Sequence, residues 1–331
     1  MKLLIAYDGS KHSEAALDDL ARSGLPEKGV AEVISVAEVW LPPPGSVDGE
    51  VTGATPLYIT AMVREYQEKG ERAVAEAEML AGFAETRVKA ALPKWDVASR
   101  ATYGSPGWEI LYEAEALDAD LILVGSQGHS ALGRFVLGSV SQKVLTEADC
   151  SVRVARGSID VDPALERIVT GFDGSRGAQA AVEAVASRKW NKGTDVRLVA
   201  VTESVVPNAI GRFVAPITRI VNEINVSERT WFEHLAENSL TTLIDAGLQA
   251  SLQICPGNPK HVLSEEAERW GADSIFVGAN AWGSRLERIL VGSTAAAVAA
   301  RSHCSVEIVR IKAGMIPNEG TNGRNESGGQ V

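Results

Sequence analysis

Short runs of apolar residues recur along the chain and alternate with longer stretches in which apolar residues return every three or four positions. In the first half, the short runs predict buried strands at residues 3–7, 33–37, 97–103, 121–124 and 151–155. The longer stretches predict helices that begin near residues 13, 61, 108 and 139. Strands that alternate with helices indicate a parallel, doubly wound α/β sheet with helices on both faces.

The same pattern occurs again in the second half of the chain. Asp173 follows Asp8 by 165 positions (173 − 8), and Gly278 follows Gly125 by 153 (278 − 125). The second copy is therefore shorter between its second and third strands, where the first copy has a segment rich in Pro and Gly at residues 41–60 that is predicted to be a loop. Internal duplication of this kind indicates two tandem structural units.

We therefore predict an α/β protein of two tandem Rossmann-like domains, each with a five-stranded parallel sheet. The first domain is expected at residues 1–156 and the second at residues 166–311, joined by a short polar linker at 157–165. The remaining residues, 312–331, are polar and rich in glycine without periodicity, so we expect a disordered tail.

A glycine-rich segment follows the fourth predicted strand. Gly125, Gly128 and Gly138 are separated by two and nine residues, and Ser139 comes next, at the start of a predicted helix. Glycines after a strand allow backbone N–H groups to approach a ligand, and a helix N-terminus adds unpaired donors with a partial positive charge. This combination suits a phosphate group. A plain flexible connection explains the loop, taken alone, equally well.

The turn after the first strand has two interpretations. Asp8, Gly9 and Ser10 end that strand, and Asp173 repeats the position of Asp8 in the second copy. The carboxylate either contacts a ligand or belongs to the turn that starts the next helix.

Composition narrows the class of protein. The net charge is −11 and no run of five basic residues occurs, so we expect no nucleic-acid partner. No apolar run approaches the length of about 18 residues that spans a bilayer, so we expect no membrane association. Three cysteines without a CxxC pair and without an export signal indicate a cytoplasmic protein. Cys150 and Cys304 occupy equivalent positions before the last strands and are predicted to be core residues.

The Asp-Gly-Ser turn, the Gly-x-Pro turn at Gly104 and the frame Gly-x2-Gly-x9-Gly-Ser together resemble the universal stress protein family in its tandem form. The resemblance covers about residues 1–156 and 166–311. It implies binding of ATP or another adenine nucleotide, and leaves open whether Mg²⁺ binds with the nucleotide. It also implies pairing of the two copies through their last strands. A further homodimer is left open as well.

The resemblance also implies a nucleotide site in the first domain. Its expected residues, which surround the adenosine and then the phosphates, are Ala6, Tyr7, Asp8, Val36, Val124, Gly125, Gly128, His129, Gly138, Ser139 and Val140. In the second domain the frame is one residue longer and Trp282 stands in it, so we expect only the first domain to bind tightly.

The function that follows is a nucleotide-binding regulatory protein of the stress response rather than an enzyme. Two alternatives stay open: a slow ATPase or self-phosphorylating protein, and an interaction scaffold that binds no nucleotide. No GxxxxGK[ST] motif occurs, and only His129 and Asp8 could act as a base beside the loop, so we expect no catalytic residue and no efficient hydrolysis.

Overall fold

The structure is a computed structural model that describes residues 1–39, 57–127, 137–157, 166–202, 215–279 and 291–311, and for 57–63 and 215–225 it describes the helical backbone alone. The predicted tail, most of the predicted linker and most of the Pro- and Gly-rich loop lie outside the described residues.

The first five strands and their helices are here called domain 1. They are β1 (Lys2–Ala6), α1 (Lys11–Asp19), β2 (Val30–Ala37), α2 (Leu57–Ala91), β3 (Asp96–Tyr103), α3 (Pro106–Leu117), β4 (Leu121–Gly125), α4 (Ser139–Glu147) and β5 (Ser151–Ala155). A short 3-10 turn, Leu20–Arg22, extends α1.

The second five strands and their helices are called domain 2. They are β6 (Arg167–Phe172), α5 (Arg176–Ala186), β7 (Asp195–Thr202), α6 (Ala215–Asp245), β8 (Gln249–Pro256), α7 (Pro259–Trp270), β9 (Ser274–Gly278), α8 (Ser293–Arg301) and β10 (Ser305–Val309). Helix α6 has 31 residues and α2 has 35, so part of the length difference between the copies lies in these helices.

All ten strands form one sheet in the order β3-β2-β1-β4-β5-β10-β9-β6-β7-β8. Within each domain the neighbouring strands are parallel, and β5 pairs with β10 antiparallel at the centre of the sheet. The predicted α/β class with two Rossmann-like copies is confirmed, and the two copies pair through their last strands. This antiparallel strand pair and its flanking helices are called the seam below.

Helices cover both faces of the sheet, which explains why inner strands such as β1 and β4 are apolar on both sides. One face carries a single core that continues from domain 1 into domain 2, whereas the other face has a separate core in each domain. Cys150 and Cys304 both lie in the continuous core, as predicted. Burial raises the pKa of Cys304 to about 12, so this thiol stays protonated at neutral pH and is a poor nucleophile.

Two helices begin in segments that the sequence assigned to a loop or a turn. Helix α2 begins at Leu57, inside the segment expected to be a loop, and α3 begins at Pro106, which was assigned to the preceding turn. Proline is acceptable in the first turn of a helix because the N–H that it lacks has no intrahelical acceptor there. A proline therefore marks the start of α3 and not the end of a turn.

Candidate functional site

The carboxyl ends of β1 and β4 define the candidate site. Strand β1 pairs with β2 on one side and with β4 on the other, and Ile5 lies opposite Leu123. The chain order reverses direction between these strands, and ligands of open α/β sheets bind beyond the carboxyl ends of the strands at such a point. The turn after β1 and the connection after β4 therefore meet at one edge of the sheet.

Asp8 forms the turn after β1. Its Oδ1 accepts a hydrogen bond from the backbone N–H of Ser10 at 3.0 Å, and Gly9 has a φ of +74° that favours glycine. The Ser10 hydroxyl oxygen then accepts from the Ser13 N–H at 3.2 Å and caps α1. This turn starts the helix, so Asp8 has a structural role whatever else it contacts.

Domain 2 repeats the turn closely. The Oδ1 of Asp173 accepts from the N–H of Ser175 at 2.9 Å, Ser175 accepts from Ala178, and Gly174 has a φ of +75°. Because the two copies share the geometry, the aspartate alone does not distinguish a ligand site in domain 1 from one in domain 2.

Four of the predicted apolar site residues lie on one face of the sheet. Ala6, Val36 and Val140 are partly buried and pack against the continuous core, and Val124 is 2% exposed inside it. The structure therefore brings these side chains to the same side, near the carboxyl edge. The three partly buried ones are exposed enough to contact a bound group.

Tyr7 lies on the opposite face. Its side chain is 3% exposed in the separate core of domain 1, and its ring centroid is 6.3 Å from that of Phe83. Its hydroxyl donates to the Glu14 carboxylate, which also pairs with Arg87. Any contact of Tyr7 with a ligand at the carboxyl edge would therefore come from its backbone rather than from its ring.

Burial and the neighbouring Glu14 carboxylate raise the pKa of Tyr7 above the ordinary value of about 10. The stabilisation that goes with the raised pKa is complete below pH 10 and is lost as the pH rises further, because the tyrosinate is disfavoured in the folded state.

We expect Tyr7→Phe to lower the free energy of unfolding by about 1–2 kcal/mol, because a buried hydrogen bond to a carboxylate is removed. Urea unfolding at pH 7 measures the loss. Tyr112→Phe is the control, since that ring is 67% exposed. Equal effects of the two changes would contradict the structural role of the Tyr7 hydroxyl.

Gly125 ends β4 and packs against the start of α1. A Cβ at this position would lie 2.6 Å from the carbonyl carbon of His12 and 2.9 Å from the backbone nitrogen of Ser13. Domain 2 has the same close contact, because a Cβ on Gly278 would lie 2.3 Å from the carbonyl carbon of Gly177. The first glycine of the frame is therefore required for packing between helix and strand.

Gly138 is the residue that precedes α4. Its N–H donates to the carbonyl of Ser126 at 2.9 Å, which holds the helix start next to the end of β4. Among the described residues no side chain caps this helix, and its first residue, Ser139, is exposed. The hydroxyl of Ser141 donates to the Gly125 carbonyl at 2.6 Å and fixes the first turn against the strand.

The corresponding helix start in domain 2 lacks one of these contacts. Gly292 donates to the Ala279 carbonyl at 2.7 Å, and no side chain in the described part of domain 2 caps α8. Ala295 stands where domain 1 has Ser141, so the hydroxyl bond to the strand is missing at this position. Ser141 was not among the predicted site residues, although its replacement by alanine in the second copy is visible in the duplication.

Three residues on which the sequence prediction depends, Gly128, His129 and Trp282, lie outside the described residues. In the described part of the chain, no group of three or more His, Cys, Asp or Glu side chains is placed to hold a metal ion. The described helices also include none that is both long and apolar enough to cross a membrane.

Comparison with known proteins identifies the family. The universal stress protein family model matches residues 1–156 and again residues 164–310. The chain therefore belongs to the universal stress protein family and contains two copies of its domain. A universal stress protein of Thermus aquaticus is 34% identical over 154 residues, which are 46% of this chain and 97% of that protein.

A solved structure over the length of the chain agrees on the fold. A universal stress protein from Archaeoglobus fulgidus has a TM-score of 0.57 and 20% identity, and the match covers 95% of this chain and 97% of that one. An Arabidopsis thaliana family member solved with AMP bound has 17% identity and a TM-score of 0.30, and covers 46% of this chain and 97% of its own.

Proposed function

We propose that this chain is a regulatory protein of the stress response that binds one adenine nucleotide, ATP in the first instance, in domain 1. The phosphates would be held by the backbone around Gly125, Gly128, Gly138 and Ser139, with His129 and Val140 beside them. The adenosine would lie against Ala6, Val36 and Val124, near Asp8 and the backbone of Tyr7.

The observation that carries the proposal is the start of α4. Of the two helices that follow β1 and β4, α1 has its first turn capped by Ser10, whereas α4 is preceded by Gly138, which has no side chain to cap it. First-turn N–H groups have no intrahelical acceptors and carry a partial positive charge, so an anion is the partner that they favour.

The residues around this helix start are suited to a nucleotide. Gly138 has no side chain to cover the backbone, and the exposed hydroxyl of Ser139 can donate to a phosphate oxygen. Ala6 and Val36 supply a partly buried apolar surface at the ends of the neighbouring strands, which suits a purine base. ATP would act as a regulatory ligand whose binding changes the state of the protein. No residue is assigned a catalytic step.

The preference for domain 1 is supported by differences between the copies. Domain 1 has Ser141 bonded to the strand and the complete glycine frame, whereas domain 2 has Ala295 and the tryptophan-containing loop. The helix starts at Gly138 and Gly292 are otherwise alike. The proposal therefore predicts one tight site per chain.

Calorimetric titration of the full chain tests the proposal directly. We expect ATP to bind with a stoichiometry of one and a dissociation constant of about 10 µM or below. AMP is included as a probe because the Arabidopsis relative was solved with it, and GTP serves as the control for the base. Nucleotide released from heat-denatured purified protein, separated by chromatography, identifies the natural ligand.

The other possible results of these measurements distinguish the alternative functions. No binding of any nucleotide would favour the interaction scaffold, and two equal sites would refute the preference for domain 1. Steady release of phosphate from ATP would favour the slow ATPase. The same titration with Mg²⁺ added and omitted shows whether the metal accompanies the nucleotide.

A further inference from the structure

The seam has an internal two-fold relation. In the strand pair, Val306 lies opposite Val154, Glu307 opposite Arg153 and Ile308 opposite Val152. The last strands of the copies are equivalent at a spacing of 154 positions (304 − 150), so Arg153 and Glu307 are equivalent to each other. They are therefore the one pair in this register at which a position faces its own counterpart.

Part of the seam obeys this symmetry. Arg156 donates to the carbonyls of Ala299 and Ala300 at the end of α8, and its equivalent, Arg310, donates to those of Leu145 and Thr146 at the end of α4. These contacts would form in the same way between any two copies of the domain. They strengthen pairing without selecting a partner.

The centre of the seam breaks the symmetry. Arg153 and Glu307 are both fully buried, and their charged groups are 3.5 Å apart. Asp19 accepts from the Arg153 Nε at 2.5 Å and from the Ser305 hydroxyl at 2.7 Å. Arg188 donates to Glu307 at 2.8 Å and to a backbone carbonyl of domain 1. Four charges of alternating sign thus cross the seam.

The flanking members of this network are also specific to one copy. Helices α1 and α5 are equivalent at a spacing of 165, which places Ala184 where domain 1 has Asp19, and Ser23 where domain 2 has Arg188. The carbonyl of Ser23 is the acceptor that Arg188 reaches, at 2.8 Å. Domain 1 therefore supplies the flanking negative charge, Asp19, and domain 2 supplies the flanking positive charge, Arg188.

A steric contact adds to the charge difference. Gly24, with a φ of +58°, lies under the indole ring of Trp190, and a Cβ at this glycine would be 2.7 Å from that ring. The equivalent of Gly24 in domain 2 is Lys189, and the N–H of Lys189 donates to the Gly24 carbonyl at 3.0 Å. Two copies of domain 2 would place Trp190 against a lysine instead of a glycine.

We propose that this seam, although its strands are related by a two-fold, is selective: domain 1 accepts domain 2 and rejects a second domain 1. Arg153, Glu307, Asp19 and Arg188 are the residues that set the choice. Pairing of like domains would bury two arginines or two glutamates face to face at the two-fold position. Like charges opposite each other destabilise a strand pair, and each would lose the opposite charge that it faces across the seam, although Asp19 stays beside Arg153 and Arg188 beside Glu307. A seam between two copies of the same domain is therefore disfavoured, whichever chain the copies belong to.

Two full-length variants test the proposal by exchange of charges. The domain 1 variant carries Asp19→Ala and Arg153→Glu, and the domain 2 variant carries Arg188→Ser and Glu307→Arg, so each takes the residues of the other domain. Within either chain, two like charges then face each other. In a two-chain species formed from both variants, domain 1 of the second variant pairs with domain 2 of the first, and this seam has the complete natural set of charges. The other two domains also pair, with the positions of the central arginine and glutamate exchanged.

We expect each variant alone to melt about 10 °C below the natural chain, because a buried like-charge pair disrupts the seam. Refolding an equimolar mixture from urea should restore most of the melting temperature and give a species with the mass of two chains by light scattering. Arg156→Ala mixed with Arg310→Ala is the matched control, since each change removes one of the two equivalent contacts to a helix end, and the mixture should yield single chains only.

Two results would overturn the proposal. Either double variant could keep the natural melting temperature and the mass of one chain, which would mean that the central charges do not select the partner. Alternatively, the co-refolded mixture could contain no more two-chain species than the control, including the case in which all the protein aggregates.

Discussion

Replacing Gly138 by valine is expected to weaken binding of adenine nucleotide by about 100-fold, equivalent to about 2.8 kcal/mol. The side chain would occupy the space above the first turn of α4, where phosphate oxygens would approach the backbone N–H groups. The φ and ψ of Gly138, −63° and 156°, are accessible to valine, so the loss would not come from an impossible backbone. Calorimetric titration with ATP measures it.

Gly292→Val is the matched control in the second domain. Gly292 has similar angles, −55° and 143°, and makes the equivalent bond to Ala279. A Cβ there would lie 2.9 Å from the Ala279 carbonyl oxygen, so some loss of stability is expected. Nucleotide affinity should nevertheless stay within about twofold of the natural chain. Equal losses of affinity in the two variants would contradict a single site in domain 1.

Replacing Gly125 by alanine is expected to lower the free energy of unfolding by about 3 kcal/mol or more. The added methyl would meet the backbone of His12 and Ser13 at 2.6–2.9 Å, and backbone atoms do not rotate away as the end of a flexible side chain does. Helix α1 would have to move off the sheet and take the Asp8 turn with it. Urea unfolding gives the stability, and the same samples give nucleotide affinity.

Gly82→Ala provides the control for added bulk. Gly82 lies inside α2, and beyond the backbone of that helix no atom of the described residues comes within 4 Å of the place that an added methyl would take. Alanine should therefore raise stability by up to about 1 kcal/mol through its better helix propensity. If Gly125→Ala unfolds like the natural chain but loses nucleotide, Gly125 serves the ligand and not the helix. Loss of stability with binding retained at low denaturant supports the packing role.

The elements were predictable because each obeys a local rule. Residues 151–155 were expected as a strand and form β5 over Ser151–Ala155, since a short apolar run bounded by polar residues has few other stable conformations. The start of α2 at Leu57 was not predictable, because nearby prolines and glycines indicate a loop on local grounds. Propensity is a weak guide to where a helix begins.

The candidate site was predictable in part. The chain order of strands and turns was enough to bring Asp8, Gly125 and Gly138 to one edge of the sheet. It was not enough to separate Ala6 from Tyr7, whose side chains lie on opposite faces because neighbouring strand residues alternate. Glu14, the partner of the Tyr7 hydroxyl, was likewise not apparent, since helix α1 had to be packed on the sheet first.

The sequence by itself determined that this protein is two copies of one α/β unit, and that a glycine frame complete in the first copy is altered in the second. These features are local, and they can be read as spacings along the chain. Only the tertiary structure decided why Gly125 is glycine and which charges meet at Arg153 and Glu307. Both depend on distances between segments far apart in the chain, and close packing and buried charge respond to such distances alone.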